Sequence, residues 1–342
     1  MLISIVIAAY NVEKYVARCL NSVLNQNFND YEIIIVNDCS TDRTLQIINE
    51  IASENDKIKV INKDKNEGLS EARNSGLSIA SGKYVAFIDG DDFVEKNTYK
   101  TCCIYAESIN ADEVVFESTY DKKNGEQWYM SVNSSKDVYS TESEINDYFR
   151  EMIGAEPKST SDYQIGFTPW GRIYRRAVLV TNRVKFISER KYIYEDLVFA
   201  LNIMPYIKKV GIVHEPFYHY CENDNSLTKK IDINRYYRIK EMYNYIKTLE
   251  IYKRISSELD IKYRFNRTML AYIRLSIIQL CIAKRLDVVN KISKDEMCSQ
   301  VIEGYPINKL PFKQRIFAYM LKHRYCKMMY LMIRLKMKGI GK

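Results

Sequence analysis

The sequence lacks the cysteine spacings that indicate a disulfide framework or a zinc site. Its eight cysteines include no CxxC pair, so we expect buried, reduced thiols in a cytosolic protein. The chain also lacks the run of about 18 apolar residues that a membrane-spanning helix requires. The apolar stretch at residues 2–9 is short and has no basic segment before it, which favours a first strand over a signal peptide. No GxGxxG follows this stretch, which argues against a nicotinamide-binding Rossmann domain.

The composition is that of an ordinary globular protein. The 342 residues are 46% hydrophobic and 27% charged, enough for one large domain or two modest ones. The net charge of +8 suggests an anionic partner, which leaves nucleotide, nucleic acid and lipid headgroup as alternatives.

Short apolar runs alternate with helical patterns in the first part of the chain. The runs lie at 3–9, 32–38, 57–62 and 84–89. Between them, apolar residues recur at helical spacing, and Ser70 is placed to cap the third helix. This alternation predicts right-handed βαβ crossovers and an α/β fold, with a mostly parallel sheet covered by helices on both faces.

Polar side chains stand at the ends of three of these runs. Tyr10 and Asn11 follow the first run, and Asp38 ends the second. Ligands of parallel sheets bind beyond the carboxyl ends of the strands. Asn66 and Arg73 flank the loop and first turn of the third helix. We therefore expect these side chains to converge on one ligand site.

The fourth run ends in an acidic turn, KYVAFIDGDDF (83–93), which contains Asp89, Asp91 and Asp92. Neighbouring carboxylates repel one another unless a cation shares them. Mg²⁺ and Mn²⁺ usually take one or two protein carboxylates and leave their other positions to water and phosphates. The turn thus predicts a metal site completed by a diphosphate, the alternative being a solvated Asp-Gly turn.

The sequence resembles the family 2 glycosyltransferases of the GT-A fold. The matching stretches are SIVIAAYNVEKYVARCLNSVLNQ (4–26), EIIIVNDCSTDRT (32–44), NEGLSEARNSGLSIASGKYVAFIDGDD (66–92) and YEDLVFAL (194–201). The resemblance implies a GT-A domain at residues 1–228, with a nucleotide-sugar donor half at 1–119 and an acceptor half at 120–228. Residues 229–342 carry no part of it and are expected to form a basic, helical region.

The resemblance also implies roles for single residues. Tyr10 stacks on the nucleobase, Asp38 accepts the uracil N–H and Asp89 contacts the ribose. Asp91 ligates Mn²⁺ or Mg²⁺, with Asp92 as a second ligand or an orienting neighbour. The nucleotide-binding positions as a whole are Tyr10, Asn11, Asp38, Asn66, Arg73, Asp89 and Ser226. The sequence departs from the family pattern at Ala8, where the family has proline, and it lacks the expected arginine near Cys221.

The acceptor side is implied by YEDLVFAL, which places Glu195 and Asp196 in the first turn of a helix. Acidic residues are favoured there by the helix dipole in any case, but the resemblance makes Asp196 the catalytic base and Glu195 a residue that supports the base or binds the acceptor. Trp170 either stacks on an acceptor sugar or belongs to the core. His219 is either a structural histidine, a metal ligand or a contact to the diphosphate.

The function implied is inverting, metal-dependent transfer of a single hexosyl or N-acetylhexosaminyl group from a UDP-sugar. The expected acceptor is a glycan or lipid-linked oligosaccharide of surface polysaccharide biosynthesis, and no nucleic-acid partner is expected. The QxxRW signature of processive synthases is absent. The alternatives are a nucleotidyltransferase, which would need a Gly-rich basic loop after the first strand, and a non-catalytic nucleotide- or glycan-binding module.

The last part of the chain is basic, and no acidic residue follows Glu303. Apolar residues from Phe317 to Leu335 recur at helical spacing, which predicts one amphipathic helix flanked by Lys and Arg. Such a helix at residues 310–342 can lie on an anionic membrane. We therefore expect a peripheral protein on the cytoplasmic face of the plasma membrane, the alternative being a helix that only packs within a bundle.

Overall fold

The computed structural model of the chain describes residues 1–223 and 231–340, and side chains as far as residue 335. The chain forms two units. Unit 1 consists of Met1–Tyr148, Phe167–Arg190 and Tyr194–Ser226, and unit 2 of Phe149–Gly166, Lys191–Ile193 and Leu227–Lys342. The sequence suggested a single boundary at residue 228, whereas unit 2 also takes two segments from within residues 1–228.

The strands of unit 1 form one mixed sheet. They are β1 (Ile3–Ala9), β2 (Tyr31–Asn37), β3 (Ile58–Asn62), β4 (Tyr84–Asp89), β5 (Phe93–Val94), β6 (Glu113–Asp121), β7 (Gln127–Met130), β8 (Val138–Tyr139), β9 (Arg172–Arg175) and β10 (Val210–Cys221). The order is β3-β2-β1-β4-β9-β6-β10-β5, with β7 paired to β6 and β8 to β10. The first four strands are parallel, as the βαβ pattern predicted. The other half is mixed, because β9 runs antiparallel to both β4 and β6.

Helices cover the parallel strands. Those that begin in unit 1 are α1 (Val16–Leu24), α2 (Thr44–Ser53), α3 (Leu69–Ile79), α4 (Thr98–Ile109), α5 (Glu142–Ile153), α6 (Arg176–Thr181) and α7 (Glu195–Ile203). Alternation along β1 decides which face each residue serves: Ile3, Ile5 and Ile7 share one buried cluster with the apolar stripe of α1. Val6 points the other way, where α3 approaches so closely that a Cβ on Gly76 would lie 2.3 Å from Val6.

The start of α3 differs from the prediction that Ser70 caps it. Its N-cap is Gly68, whose φ of 100° is a conformation that side-chain-bearing residues rarely adopt. Ser70 lies inside the first turn, where its N–H donates to the Glu189 carboxylate (3.1 Å) and its hydroxyl to the carbonyl of Ile187 (3.0 Å). The helix N-terminus is therefore satisfied by a distant side chain, which local sequence does not reveal.

Unit 2 is helical. Its helices after residue 230 are α8 (Arg235–Ile246), α9 (Glu250–Ser257), α10 (Leu259–Ile282), α11 (Leu286–Ile292), α12 (Glu296–Ile302), α13 (Phe312–Lys322) and α14 (Cys326–Ile340). The single helix expected from Phe317 to Leu335 is two helices, because Arg324 adopts a φ of 59° and ends the first. Within the described residues, the helices are all too short or too polar to cross a membrane.

Arginines of α10 hold the segment at 154–162 within unit 2. Arg264 donates to the carbonyl of Gly154 (3.2 Å), Arg267 to that of Ser159 (3.1 Å), and Arg274 to the Asp162 carboxylate (2.5 Å). Charged hydrogen bonds therefore fasten this segment, while β6 and β7 form a hairpin earlier in the chain.

Candidate active site at the carboxyl ends of the parallel strands

The carboxyl ends of β1, β2 and β4 bring the predicted polar residues to one edge of the sheet. The parallel registers align Ala9 with Asn37 and Ala8 with Asp89, so the residues that follow these strands are neighbours. Tyr10 is 47% exposed at this edge, which leaves its ring accessible for stacking. Asn11 has a φ of 51°, and its side-chain oxygen accepts the N–H of Thr41 (2.8 Å). It thereby ties the loops after β1 and β2 together.

Asp38 holds the loop that precedes α3. Its two carboxylate oxygens accept the N–H groups of Glu67 (2.9 Å) and Gly68 (2.7 Å), and Asn66 donates its amide to the Asp38 carbonyl (3.2 Å). Asp38 is buried, so most of its hydrogen-bonding capacity serves the loop. A nucleobase would therefore share the Asp38 carboxylate with two backbone N–H groups.

Residues 186–190 pack against the same loop. Asn74 exchanges two hydrogen bonds of 2.9 Å with the backbone of Phe186, and Arg190 donates to the side-chain and main-chain oxygens of Asn66. Glu189 caps α3, as described above. Sequence reasoning missed this segment, because its connection to α3 spans more than a hundred residues of chain.

Arg73 is the centre of the site. Its side chain is 1% exposed, and its guanidinium reaches three carboxylates that come from two different elements. It donates to Asp89 at the end of β4 (2.8 Å) and to Asp196 at the start of α7 (3.1 Å), and it lies 3.7 Å from Glu195. One buried cation thus joins the predicted donor-side aspartate to both predicted acceptor-side acids.

Burial and mutual repulsion determine the protonation of this cluster. Burial acts to lower the pKa of Arg73, but the three carboxylates outweigh it and raise that pKa above its ordinary value. The pKa of Glu195 is raised well above the usual range, first by burial and then by Asp196. The pKa of Asp196 is raised by burial, with Arg73 opposing the shift and Asp89 adding to it. A carboxyl group with a raised pKa is a stronger base than an ordinary aspartate.

Asp92 serves as an anchor within the acidic turn. It is fully buried, and its two oxygens accept the hydroxyl of Tyr218 (2.6 Å) and the N–H of Cys221 (2.8 Å). Both partners belong to β10. Of the two roles left open for Asp92, ligand or orienting neighbour, the geometry favours the second.

Asp91 lies in the acidic turn with Asp89 and Asn223 beside it. Its pKa is raised by burial and then by the repulsion of Asp89, and the amide of Asn223, 2.9 Å away, offsets only part of this. Arg18 fixes the turn by donating to the carbonyl of Asp91 (2.6 Å). In the part of the chain that the structure describes, no group of three or more His, Cys, Asp and Glu side chains is arranged to hold a metal. The residues present fit an ion held by one or two carboxylates and completed by phosphate oxygens.

Trp170 belongs to unit 1 and packs on its apolar core. Its ring lies nearly parallel to those of Tyr218 (4.8 Å between centroids) and Tyr220 (5.4 Å). This stacking fits the expectation that Trp170 belongs to the core. Because the ring is partly exposed, some of its surface stays accessible to an acceptor sugar.

His219 is a structural histidine in this geometry. Its ring nitrogens lie 2.7 Å from Asp121 and 2.9 Å from Glu95, and its ring stacks on Phe93 at 4.1 Å. A contact to a diphosphate would have to displace one of these carboxylates. Ser226, the other predicted contact on that side, lies outside the described residues.

Sequence reasoning missed three residues that shape the acidic turn, namely Arg18, Tyr218 and Asn223. The helical spacing of α1 places Arg18 on its polar side, but does not reveal what that side faces. Tyr218 lies in β10, and Asn223 follows that strand. In the sheet order, β10 lies four places from β1. Only the strand order brings them to Asp91 and Asp92.

The fold and this edge define a class, the α/β proteins of GT-A fold with an acidic turn after the fourth strand. The profile of Glycosyl transferase family 2 matches residues 4–180. The chain therefore belongs to glycosyl transferase family 2.

Similar proteins agree with this assignment. The chain is 31% identical over 228 residues to the glycosyltransferase EpsJ of Bacillus subtilis strain 168, a match of 67% of this chain and 63% of EpsJ. The crystal structure of residues 1–349 of Staphylococcus aureus TarS with UDP is similar in fold, with a TM-score of 0.66, 19% identity, and coverage of 99% of this chain and 92% of that one. The mannosyltransferase PcManGT of Pyrobaculum calidifontis, solved with GDP-Man and Mn²⁺, gives a TM-score of 0.55 at 13% identity and covers 97% and 85%.

Proposed function

We propose that this protein is an inverting glycosyltransferase that moves one sugar from a UDP-sugar to a glycan or lipid-linked acceptor in surface polysaccharide biosynthesis. The observation that carries the proposal is the cluster that Arg73 forms with Asp89, Glu195 and Asp196. It places the acids of α7 beside the carboxyl end of β4 in the described structure. Family membership and the UDP complex of TarS support the same conclusion.

The donor would occupy the edge beyond β1, β2 and β4. The exposed ring of Tyr10 offers a stacking surface for the nucleobase. Asp38 and Asn66 hold the loop before α3 and would contact the nucleoside there, with Asn11 and Asp89 beside them. UDP is the proposed nucleotide because TarS binds it, and the Asp38 carboxylate can accept the N–H of uracil.

Asp196 is the proposed catalytic base. As the acceptor oxygen forms its bond to the anomeric carbon, the bond from that carbon to the diphosphate breaks and UDP departs with the electron pair. The acceptor proton passes to Asp196, whose raised pKa suits this task. Attack opposite the leaving group inverts the anomeric centre. Glu195 and Arg73 are positioning residues, since they act through Asp196 and Asp89.

Asp91 is the proposed ligand of Mn²⁺ or Mg²⁺, with Asp92 holding the turn in place. A bound divalent ion would neutralise charge that develops on the departing diphosphate. The role of this chain's residues is to present the Asp91 carboxylate at a fixed position, which Arg18 and Asn223 secure by hydrogen bonds to its backbone and side chain.

The experiment compares Asp196→Asn with wild type for UDP binding and for hydrolysis of a panel of UDP-sugars, including UDP-GlcNAc. The amide is isosteric but cannot accept a proton, so hydrolysis should fall by about 10²–10⁴-fold while UDP affinity stays within about twofold of wild type. Asp30→Asn, at an exposed carboxylate, is the matched control and should change neither quantity. Undiminished hydrolysis in Asp196→Asn would remove Asp196 from the mechanism.

A second measurement addresses the metal. Calorimetric titration of UDP with and without Mn²⁺ should show tighter binding with the ion in wild type and no such gain in Asp91→Ala. An equal gain in both proteins would remove Asp91 as the ligand, and no gain in either would remove the ion from donor binding.

A further inference from the structure

Helix α14 has apolar side chains on two faces. The inner face, which includes Cys326 and Met329, is buried against the neighbouring helices of unit 2. The outer face repeats at helical spacing and remains exposed, and its members are Met328, Leu331, Met332 and Leu335. Leu331 and Leu335 are 59% and 69% exposed. A helix that only packed within the bundle would carry polar residues on this outer face, so the exposed row needs another explanation.

The turn between α13 and α14 adds positive charge to this row. Arg324, Tyr325, Lys327 and Met328, together with Asn290 of α11, line an open depression of about 490 Å³. Throughout the described residues, neither Arg324 nor Lys327 forms an ion pair with a carboxylate. No acidic residue follows Glu303 in the sequence, so the cations at this end of the chain have no acidic neighbours along it.

We propose that the C-terminal patch, formed by Arg324, Lys327 and the outer row of α14, docks on an anionic phospholipid membrane. The apolar row would enter the interface between headgroups and acyl chains while the depression receives a headgroup phosphate. Charge complementarity selects this occupant over a second copy of the chain, since two such patches facing each other would oppose cation to cation. The inference does not depend on glycosyl transfer, and it agrees with a lipid-linked acceptor.

The test is flotation of the full chain with vesicles of phosphatidylcholine alone or with about 30 mol% phosphatidylglycerol. Wild type should bind the anionic vesicles at least about tenfold more tightly than the neutral ones, and added salt should weaken this binding. Arg324→Gln/Lys327→Gln should reduce it by about 10- to 30-fold. Leu331→Ser/Leu335→Ser should reduce it by at least about tenfold.

Matched controls remove the same chemistry elsewhere. Lys158→Gln/Lys253→Gln neutralises two well-exposed lysines, and Ile104→Ser removes an apolar side chain as exposed as Leu331. Both should bind like wild type, and circular dichroism should show all variants folded. Equal binding to neutral and anionic vesicles, or wild-type binding by both patch variants, would overturn the proposal. So would a wild-type oligomer that Leu331→Ser/Leu335→Ser converts to a monomer, because the patch would then be a subunit interface. None of these outcomes bears on catalysis.

Discussion

Replacement of Arg73 by methionine tests the central contact of the site. Methionine keeps most of the side-chain volume and removes the charge, so three carboxylates lose the cation that they share. Removing one partner of a buried ion pair typically costs about 3–5 kcal/mol, because the remaining charge stays buried without compensation. We expect Arg73→Met to lower the free energy of unfolding by about this amount near neutral pH.

The loss should depend on pH, and its sign follows from the carboxyl groups. Glu195 and Asp196 already have raised pKa values in the folded protein, and without Arg73 these pKa values rise further. A group whose folded pKa lies above its unfolded value destabilises the folded state as pH rises between the two values. The loss should therefore be larger at about pH 8 than at about pH 5. Asp89 and Glu189 also face these groups, and their charges add to the effect.

Urea unfolding followed by tryptophan fluorescence measures this prediction. Both tryptophans of the chain, Trp128 and Trp170, lie in unit 1, so the signal reports the unit that contains Arg73. Arg43→Met is the control, because Arg43 pairs with Glu13 at the surface and its loss should cost less than about 0.5 kcal/mol. A loss below about 1 kcal/mol in Arg73→Met, or an equal loss at both pH values, would refute the reasoning.

Three further outcomes follow from the structure. Burial acts to raise the pKa of Glu32, but hydrogen bonds from Lys59 and neighbouring serines lower it to about 2. Glu32→Gln should therefore destabilise the protein at neutral pH. In acid denaturation, the difference in stability from wild type should shrink as pH falls from about 4.5 towards 2. Trp170→Ala should cost about 3 kcal/mol in thermal unfolding, and the exposed Trp128→Ala less than about 1 kcal/mol; equal losses would contradict the stacking geometry. The acid limb of the pH profile for turnover should lie above the ordinary pKa of aspartate, because the pKa of Asp196 is raised; a limb at or below that value would exclude it as the base.

Local pattern was sufficient for most of the parallel half of unit 1. The apolar runs at 3–9 and 84–89 coincide with β1 and β4, because a strand buried on both faces must be continuously apolar. The acids of YEDLVFAL begin α7 as predicted. The helical spacing failed to predict the break between α13 and α14. Apolar residues keep the same spacing on both sides of Arg324, although its φ is positive and ends the first helix. Spacing alone does not record this change of helix axis.

The roles of the polar residues were less accessible to sequence. The resemblance implied that Arg73 contacts the nucleotide and that Asp92 is a metal ligand or an orienting neighbour. It did not reveal that both are buried against partners far away in the chain, Asp196 and Tyr218. A charged residue shows its type in the sequence but not its partner, because the partner is decided by strand order and helix position. The sequence therefore predicted the edge of the sheet where these residues lie, but not their partners.

The amino-acid sequence by itself determined the parallel βαβ half, the family and the edge where polar groups gather, because burial on two faces and helical periodicity are written in consecutive residues. Tertiary structure alone decided that one guanidinium joins Asp89 to Glu195 and Asp196, and that α14 shows apolar side chains to solvent. The physical reason is the same in both cases. Electrostatic and packing energies depend on distances in space, and the fold brings together residues that the chain keeps more than a hundred positions apart.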